Sequence, residues 1–170
     1  MKEIAFIIVW CGEFREYFPL WLKSCENNPT IDFLLFTDQD QEIVLPTNVK
    51  RYIFPFEALK QRFAKHFDFP ISLNRPYKFC DYRPTYGEVF AEYLTDYDFW
   101  GYGDVDVIWG DIRSFVTDRI LEENERIFTR GHCSLFRNTE EVNTYYRTLS
   151  ANGHLDYRMV YQSDDSWCFD

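Results

Sequence analysis

Residues 4–10, with the sequence IAFIIVW, decide how this chain folds. Seven apolar residues in succession, ended by Cys11 and Gly12, are typical of a strand that is covered on both faces. Strands of that kind lie in the interior of parallel sheets, where helices pack above and below. We therefore predict that residues 4–10 form a buried strand of an α/β sheet.

The segments that follow alternate between helix and strand patterns. Apolar residues recur at helical spacing along 18–25, where Pro19 suits the first turn, and again along 56–67 and 82–94. A further helix is predicted from Asn138, with Glu141 completing a capping box. Strands are predicted at 31–37, 49–54, 99–108, 125–128 and 133–137. This alternation predicts a single α/β domain over residues 1–170, with three layers and a mostly parallel central sheet.

The composition limits the classes of ligand and partner. The 170 residues carry a net charge of -10, which would repel a phosphate backbone and argues against nucleic-acid binding. The apolar run near the amino terminus is too short and too poorly flanked for a signal peptide or a transmembrane segment, although peripheral contact with a membrane stays open. Five dispersed cysteines indicate neither a disulfide framework nor a zinc knuckle, and free thiols favour a cytoplasmic protein.

Two aspartates occupy the strand region predicted at 99–108. Residues two apart in an extended segment project to the same side, so Asp104 and Asp106 present their carboxylates together. Two such carboxylates repel each other unless a cation or a shared proton lies between them, and oxygen ligands suit Mg²⁺, Mn²⁺ or Ca²⁺. We therefore predict a metal site at Asp104 and Asp106, the alternative being two solvated carboxylates. Asp111 is predicted to cap the helical turn that follows.

A second group of charges precedes the helix predicted at 82–94. Lys78 and Arg83 are two cations in an acidic chain. They could reach a diphosphate, while Asp81 could accept a hydrogen bond from a ribose or a base. The alternative is a salt-bridged helix start with Asp81 as the cap, and the spacing alone does not separate the two interpretations.

Together these segments resemble the GT-A glycosyltransferases. The resemblance is carried by the string around Asp104 and Asp106, by residues 34–38 (LLFTD) and by residues 77–81 (YKFCD), and it covers nearly the whole chain. The chain looks most like a group of uncharacterised bacterial proteins assigned to that class. The resemblance implies a Rossmann-like fold, a UDP- or GDP-sugar donor, a carbohydrate or lipid-linked acceptor, and Mn²⁺ or Mg²⁺ held by the two aspartates.

The same resemblance implies roles for residues outside the metal site. Trp10 lies at the exit of the first strand and Asp38 follows the second, where such folds hold the base and the ribose. Asp81 and Arg83 match a donor-binding motif that precedes the metal motif. His132 belongs to a segment, 130–138, that resembles the lining of the sugar and acceptor side. From its residue type alone, His132 could be a ligand, although a lone histidine is more often simply hydrogen-bonded.

The carboxyl-terminal part raises the question of a catalytic carboxylate. Enzymes of this kind usually continue well beyond the second half of the sheet and carry a late metal or acceptor residue, whereas only 64 residues follow Asp106 here. Asp164, Asp165 and Asp170 are the candidates that this segment offers. The chain stops in an aromatic stretch, 167–170, without a polar tail, which predicts a longer chain truncated at this end.

Two other functions stay open. An apolar strand running into Asp-x-Asp is also the signature of haloacid-dehalogenase phosphohydrolases. That motif normally ends the first strand and is joined by a later lysine, whereas about a hundred residues precede it here and no lysine follows Lys78. The other alternative is a non-catalytic module that binds a nucleotide sugar, or a protein partner, without turnover.

Overall fold

The computed structural model describes residues 1–129, 131–148 and 155–169. Within these ranges, six strands form one sheet in the order β3-β2-β1-β4-β6-β5. The strands are β1 (Ile4–Trp10), β2 (Ile31–Thr37), β3 (Val49–Ile53), β4 (Phe99–Gly103), β5 (Arg126–Ile127) and β6 (Cys133–Arg137). β1 to β4 pair in parallel, and β6 pairs antiparallel with both β4 and β5. The prediction of a mostly parallel α/β sheet is confirmed, and the order is compatible with a Rossmann-like fold.

Helices cover both faces of this sheet. They are α1 (Phe18–Glu26), α2 (Phe56–Ala64), α3 (Phe79–Tyr82), α4 (Tyr86–Val89), α5 (Asp118–Glu123), α6 (Glu140–Asn143) and α7 (Tyr157–Gln162). Short 3-10 turns at Pro76–Lys78, Arg83–Thr85, Ala91–Tyr93, Ile112–Ser114 and Tyr145–Arg147 connect or extend them. In the described part of the chain, no helix combines the length and the apolarity that crossing a membrane requires.

The central strand has a core on each face, as its unbroken apolar run predicts. Phe6 and Ile8 point to the face where Trp21 of α1 packs, whereas Ala5 and Ile7 point to the face covered by α2 and the helical segments after it. All four strand side chains are at most 1% exposed. Since successive strand residues alternate between faces, only a strand with helices on both sides can bury every position.

The apolar stripe along 82–94 does not form the single helix predicted from it. The structure divides it into α3, α4 and two 3-10 turns. Pro84 lacks an amide hydrogen and restricts the residue before it, which separates α3 from α4. A second break follows α4, where the backbone of Phe90 (φ -114°, ψ 22°) leaves the helical region. The stripe still buries Tyr82, Val89 and Phe90 completely, because helical turns of both kinds keep residues three or four apart on one side.

Two predicted helix caps meet different outcomes. Asp111 caps the 3-10 turn at Ile112–Ser114, where its side chain accepts from the amide of Ser114 at 3.2 Å, as predicted. The capping prediction for Asn138 is wrong, because Thr139 is the cap of α6 and accepts from the amide of Val142. The Asn138 side chain instead donates to the carbonyl oxygens of Leu94 and Tyr97.

Candidate functional site

A cavity of about 860 Å³ opens at the carboxyl ends of β1 and β4. These neighbouring strands mark the place where the sheet order reverses, since β2 and β3 lie on one side and the later strands on the other. Open α/β sheets bind ligands in the crevice at that switch point. Trp10 at the end of β1 lines the cavity, and so do Arg83, Asp104, Asp106 and His132.

The two aspartates lie in a turn after β4. The strand predicted to reach residue 108 ends at Gly103, so the extended geometry predicted for Asp104 and Asp106 is wrong. The chain turns back because Trp109 packs on Phe6, with ring centroids 5.2 Å apart, and against Gly103. A β-carbon at Gly103 would lie 2.6 Å from Cζ2 of Trp109. Both carboxylates nevertheless face the same cavity.

His132 joins the two aspartates. Its Nδ1 lies 2.6 Å from Oδ2 of Asp104, and ligand atoms of His132, Asp104 and Asp106 all lie within 4.8 Å of one another. The antiparallel register of β6 on β4 brings them together, because Cys133 is paired with Gly103. The sequence allowed His132 as a ligand or a donor-binding residue but did not predict its contact with Asp104, since the register of the strand pair is a tertiary feature.

Arg83 faces the same carboxylate from the opposite wall. Its guanidinium forms an ion pair with Oδ1 of Asp104 and lies 5.1 Å from the ring centroid of Tyr102. Burial alone would lower the pKa of Arg83, but the nearby Cys80 and Asp104 raise it, and the net shift is upward. The cavity therefore holds a permanent cation beside its two carboxylates.

Trp10 and Asp38 lie at the ends of β1 and β2, where they were predicted. Trp10 lines the cavity and donates from Nε1 to the carbonyl of Gly12 at 3.0 Å. Asp38 accepts from the amide of Gly12 at 2.9 Å, and so fixes the loop after β1. Burial, followed by the charge of Asp38, raises the pKa of the Cys11 thiol to about 12. Cys11 is thus protonated at neutral pH and is a poor nucleophile.

Lys78 and Asp81 lie below the cavity wall, and both side chains are 1% exposed. Lys78 Nζ donates to Asp81 at 2.8 Å and to the carbonyls of Val160 and Asp165. The Asp81 carboxylate accepts from the amides of Trp167 and Phe169. These contacts bear out the ion pair of the salt-bridged alternative, but Asp81 as a helix cap is wrong, because Asp81 lies within α3 and its carboxylate accepts from residues 167 and 169 instead.

Two of the three carboxyl-terminal candidates, Asp164 and Asp165, are described, and neither lines the cavity. The Asp164 side chain accepts from Ser72 and, at 2.6 Å, from Asn74, and these bonds lower its pKa. Asp165 contributes its backbone carbonyl to Lys78. Asp170 lies outside the described residues. The structure instead brings Cys168 and Phe169 to the cavity wall, which sequence reasoning did not predict.

Similarity to a known protein family extends over nearly the whole chain. The model of a family described as a family of unknown function (DUF6625) matches residues 6–170, and the chain belongs to that family. No curated protein matches the chain.

Proposed function

We propose that this member of the family is a metal-dependent glycosyltransferase of the GT-A type. It transfers a sugar from a UDP- or GDP-sugar to a hydroxyl group of a carbohydrate or lipid-linked acceptor. The observation that carries the proposal is the group formed by Asp104, Asp106 and His132, whose ligand atoms lie within 4.8 Å of one another at the switch point of the sheet. Its cavity, about 860 Å³, is within the usual range for small-molecule sites.

The side chains of this group suit Mn²⁺. Carboxylate oxygens are ligands for Mg²⁺ and Mn²⁺ alike, whereas an imidazole nitrogen favours a transition metal over Mg²⁺. Asp106 and His132 are exposed and Asp104 is partly exposed, so the three can be reached from the cavity. Three protein ligands leave coordination positions for water or phosphate oxygens. A metal bound here would supply positive charge to stabilise the leaving diphosphate.

The charge of the site explains why such a cation is needed. Asp104 and Asp106 have the same sign as a nucleoside diphosphate, and the whole chain carries a net charge of -10. Without a cation, the carboxylates oppose the binding of that ligand. Arg83 supplies one positive charge, which its ion pair with Asp104 already offsets. The roles of the protein groups are therefore to hold the cation and, through Arg83, to donate hydrogen bonds to the diphosphate.

A thermal-shift experiment tests the proposal. UDP or GDP should stabilise the protein only with Mn²⁺ or Mg²⁺ present, by about 2.7 kcal/mol when the nucleotide is at 100 times its Kd. Asp106→Asn should remove this shift without altering the metal-free melting temperature, because Asp106 is exposed and makes no hydrogen bond or ion pair with the described residues. Asp104→Asn should also remove it, but with some loss of stability, because it breaks the pair with Arg83.

Asp96→Asn is the matched control. Asp96 is an exposed aspartate before β4, near the amino ends of the parallel strands, whereas the cavity lies at their carboxyl ends. Its replacement removes the same charge. It should leave the nucleotide shift intact. An equal shift in the presence of a chelator, or a shift that survives in both site variants, would contradict the metal site. Metal-dependent binding without release of nucleoside diphosphate from any nucleotide sugar would support the non-catalytic alternative instead.

A further inference from the structure

The Asp104 carboxylate has a protein partner on each oxygen. Arg83 pairs with Oδ1, and Nδ1 of His132 lies 2.6 Å from Oδ2. The Asp104 side chain is only 22% exposed, and that of Arg83 is 12% exposed, so water screens this pair poorly. A metal that is to use Asp104 must therefore displace a cation that is already in place.

The metal and Arg83 cannot both bind the carboxylate fully. A divalent cation next to Oδ1 would lie beside a guanidinium of the same sign, in a part of the protein where charges interact strongly. We propose that Arg83 and the metal are alternative partners of Asp104, and that metal entry transfers Arg83 from Asp104 to an oxygen of the diphosphate. This inference rests on the proposed metal site and adds how that site is controlled.

The position of Arg83 explains why it turns to the ligand and does not withdraw into solvent. Arg83 is the first residue of the 3-10 turn Arg83–Thr85, in which Pro84 restricts the backbone conformation. The Arg83 guanidinium packs over the Tyr102 ring. The charge thus stays in the cavity wall when Asp104 binds a metal. A diphosphate in the cavity can accept bidentate hydrogen bonds from a guanidinium, which offsets that charge.

This exchange makes the two ligands cooperative. A metal that binds alone must break the Arg83–Asp104 ion pair. A diphosphate that binds alone is repelled by the carboxylates of Asp104 and Asp106. Each ligand removes the obstacle to the other, and by linkage each raises the affinity of the other by the same factor. Arg83 is therefore a positioning residue that discourages the site from holding a metal before the donor arrives.

The test measures Mn²⁺ binding by calorimetry, with no nucleotide present, in the wild-type protein and in Arg83→Gln. We expect Arg83→Gln to bind Mn²⁺ at least about fivefold more tightly, which is the lower end of ordinary coupling factors. UDP should raise the Mn²⁺ affinity of the wild-type protein and raise it several-fold less in the variant. If Arg83 had only a structural role, Arg83→Gln would bind Mn²⁺ more weakly than the wild-type protein or with the same affinity.

Arg75→Gln is the control for the loss of one positive charge. Arg75 lies eight residues earlier and contacts Ser166 rather than Asp104, so its replacement should change Mn²⁺ affinity far less. Arg83→Lys provides a second variant that keeps the charge; it should bind Mn²⁺ with an affinity between those of the wild type and Arg83→Gln. If Arg83→Gln does not fold, the Arg83→Lys result decides.

The outcomes separate this inference from the proposed function. If the wild-type protein binds Mn²⁺ through Asp106 and neither Arg83 variant binds it more tightly, the exchange is refuted while the metal site stands. If neither the wild-type protein nor the variants bind Mn²⁺ at millimolar concentration, both are refuted. Tighter binding in Arg75→Gln equal to that in Arg83→Gln would also refute the exchange, because net charge would then be the cause.

Discussion

Removing Lys78 should destabilise the protein far more than it affects ligand binding. Its ammonium group is buried with Asp81 and donates to two backbone carbonyls of the chain end. Removal of one member of a buried ion pair typically costs about 3–5 kcal/mol, because the other charge remains in a poorly polarisable interior. In Lys78→Met, Asp81 keeps its hydrogen bonds from the amides of Trp167 and Phe169, so we expect a loss near 3 kcal/mol.

Asp81→Leu should cost more than Lys78→Met. It leaves the ammonium without its carboxylate and also removes the acceptor of two backbone amides, which places the expected loss near 5 kcal/mol. The double variant removes both charges, so its loss should be smaller than the sum of the two single losses. These losses are a large part of the roughly 5–15 kcal/mol by which a domain is stable.

Chemical denaturation measures these differences, and Lys23→Met is the matched control. Lys23 and Glu26 form an ion pair at the same three-residue spacing, but both side chains are more than half exposed. Exposed pairs contribute at most about 1 kcal/mol. Hydrogen exchange should show that the amides of Trp167 and Phe169 lose protection in Asp81→Leu. If Lys78→Met were no less stable than Lys23→Met and bound nucleotide more weakly, Lys78 would contact the donor instead.

Two further predictions concern the cavity and its surroundings. Titration of denatured, unreduced protein should find five free thiols. In the folded protein at pH 7.5, alkylation should reach the exposed Cys168 first. Cys11 and Cys133, whose pKa values burial raises to about 12, should react slowly, with a rate that rises about tenfold for each unit of pH up to that value; equal rates for all five thiols would contradict this assignment. Gly103→Ala should destabilise the protein by about 1–3 kcal/mol in a denaturation experiment, because its β-carbon would lie 2.6 Å from the Trp109 ring. If that contact is the cause, the additional replacement Trp109→Leu should recover part of the lost stability.

The sequence predicted those strands in which nearly every consecutive residue is apolar and buried. β1 and β2 have the predicted bounds, because runs of apolar side chains require cover on both faces. The end of β4 was predicted five residues too late, since the turn after Gly103 depends on the distant Phe6 that receives Trp109. Local sequence patterns indicate which side chains are buried. Where the chain reverses depends on the distant residues against which those side chains pack.

The same distinction applies to the candidate site. Asp104 and Asp106 were recognisable because their spacing is local, but the contacts of His132 and Arg83 with Asp104 depend on strand register and on the helical segment before β4. Lys78 and Asp81 looked like ligand-binding charges because the sequence does not show that residues 160–169 fold back onto them. A charged side chain in an acidic sequence indicates only that a partner is required.

The position of the carboxyl-terminal segment affects how the protein should be handled in experiments. Cys168 and Phe169 form part of the cavity wall, so a purification tag or fluorescent protein fused behind them would emerge beside the mouth of the site. Met1 is 77% exposed and precedes β1, near the amino ends of the parallel strands and away from the cavity at their carboxyl ends. An affinity tag or surface tether should therefore be attached at the amino end, where neither bulk nor charge obstructs access to the cavity.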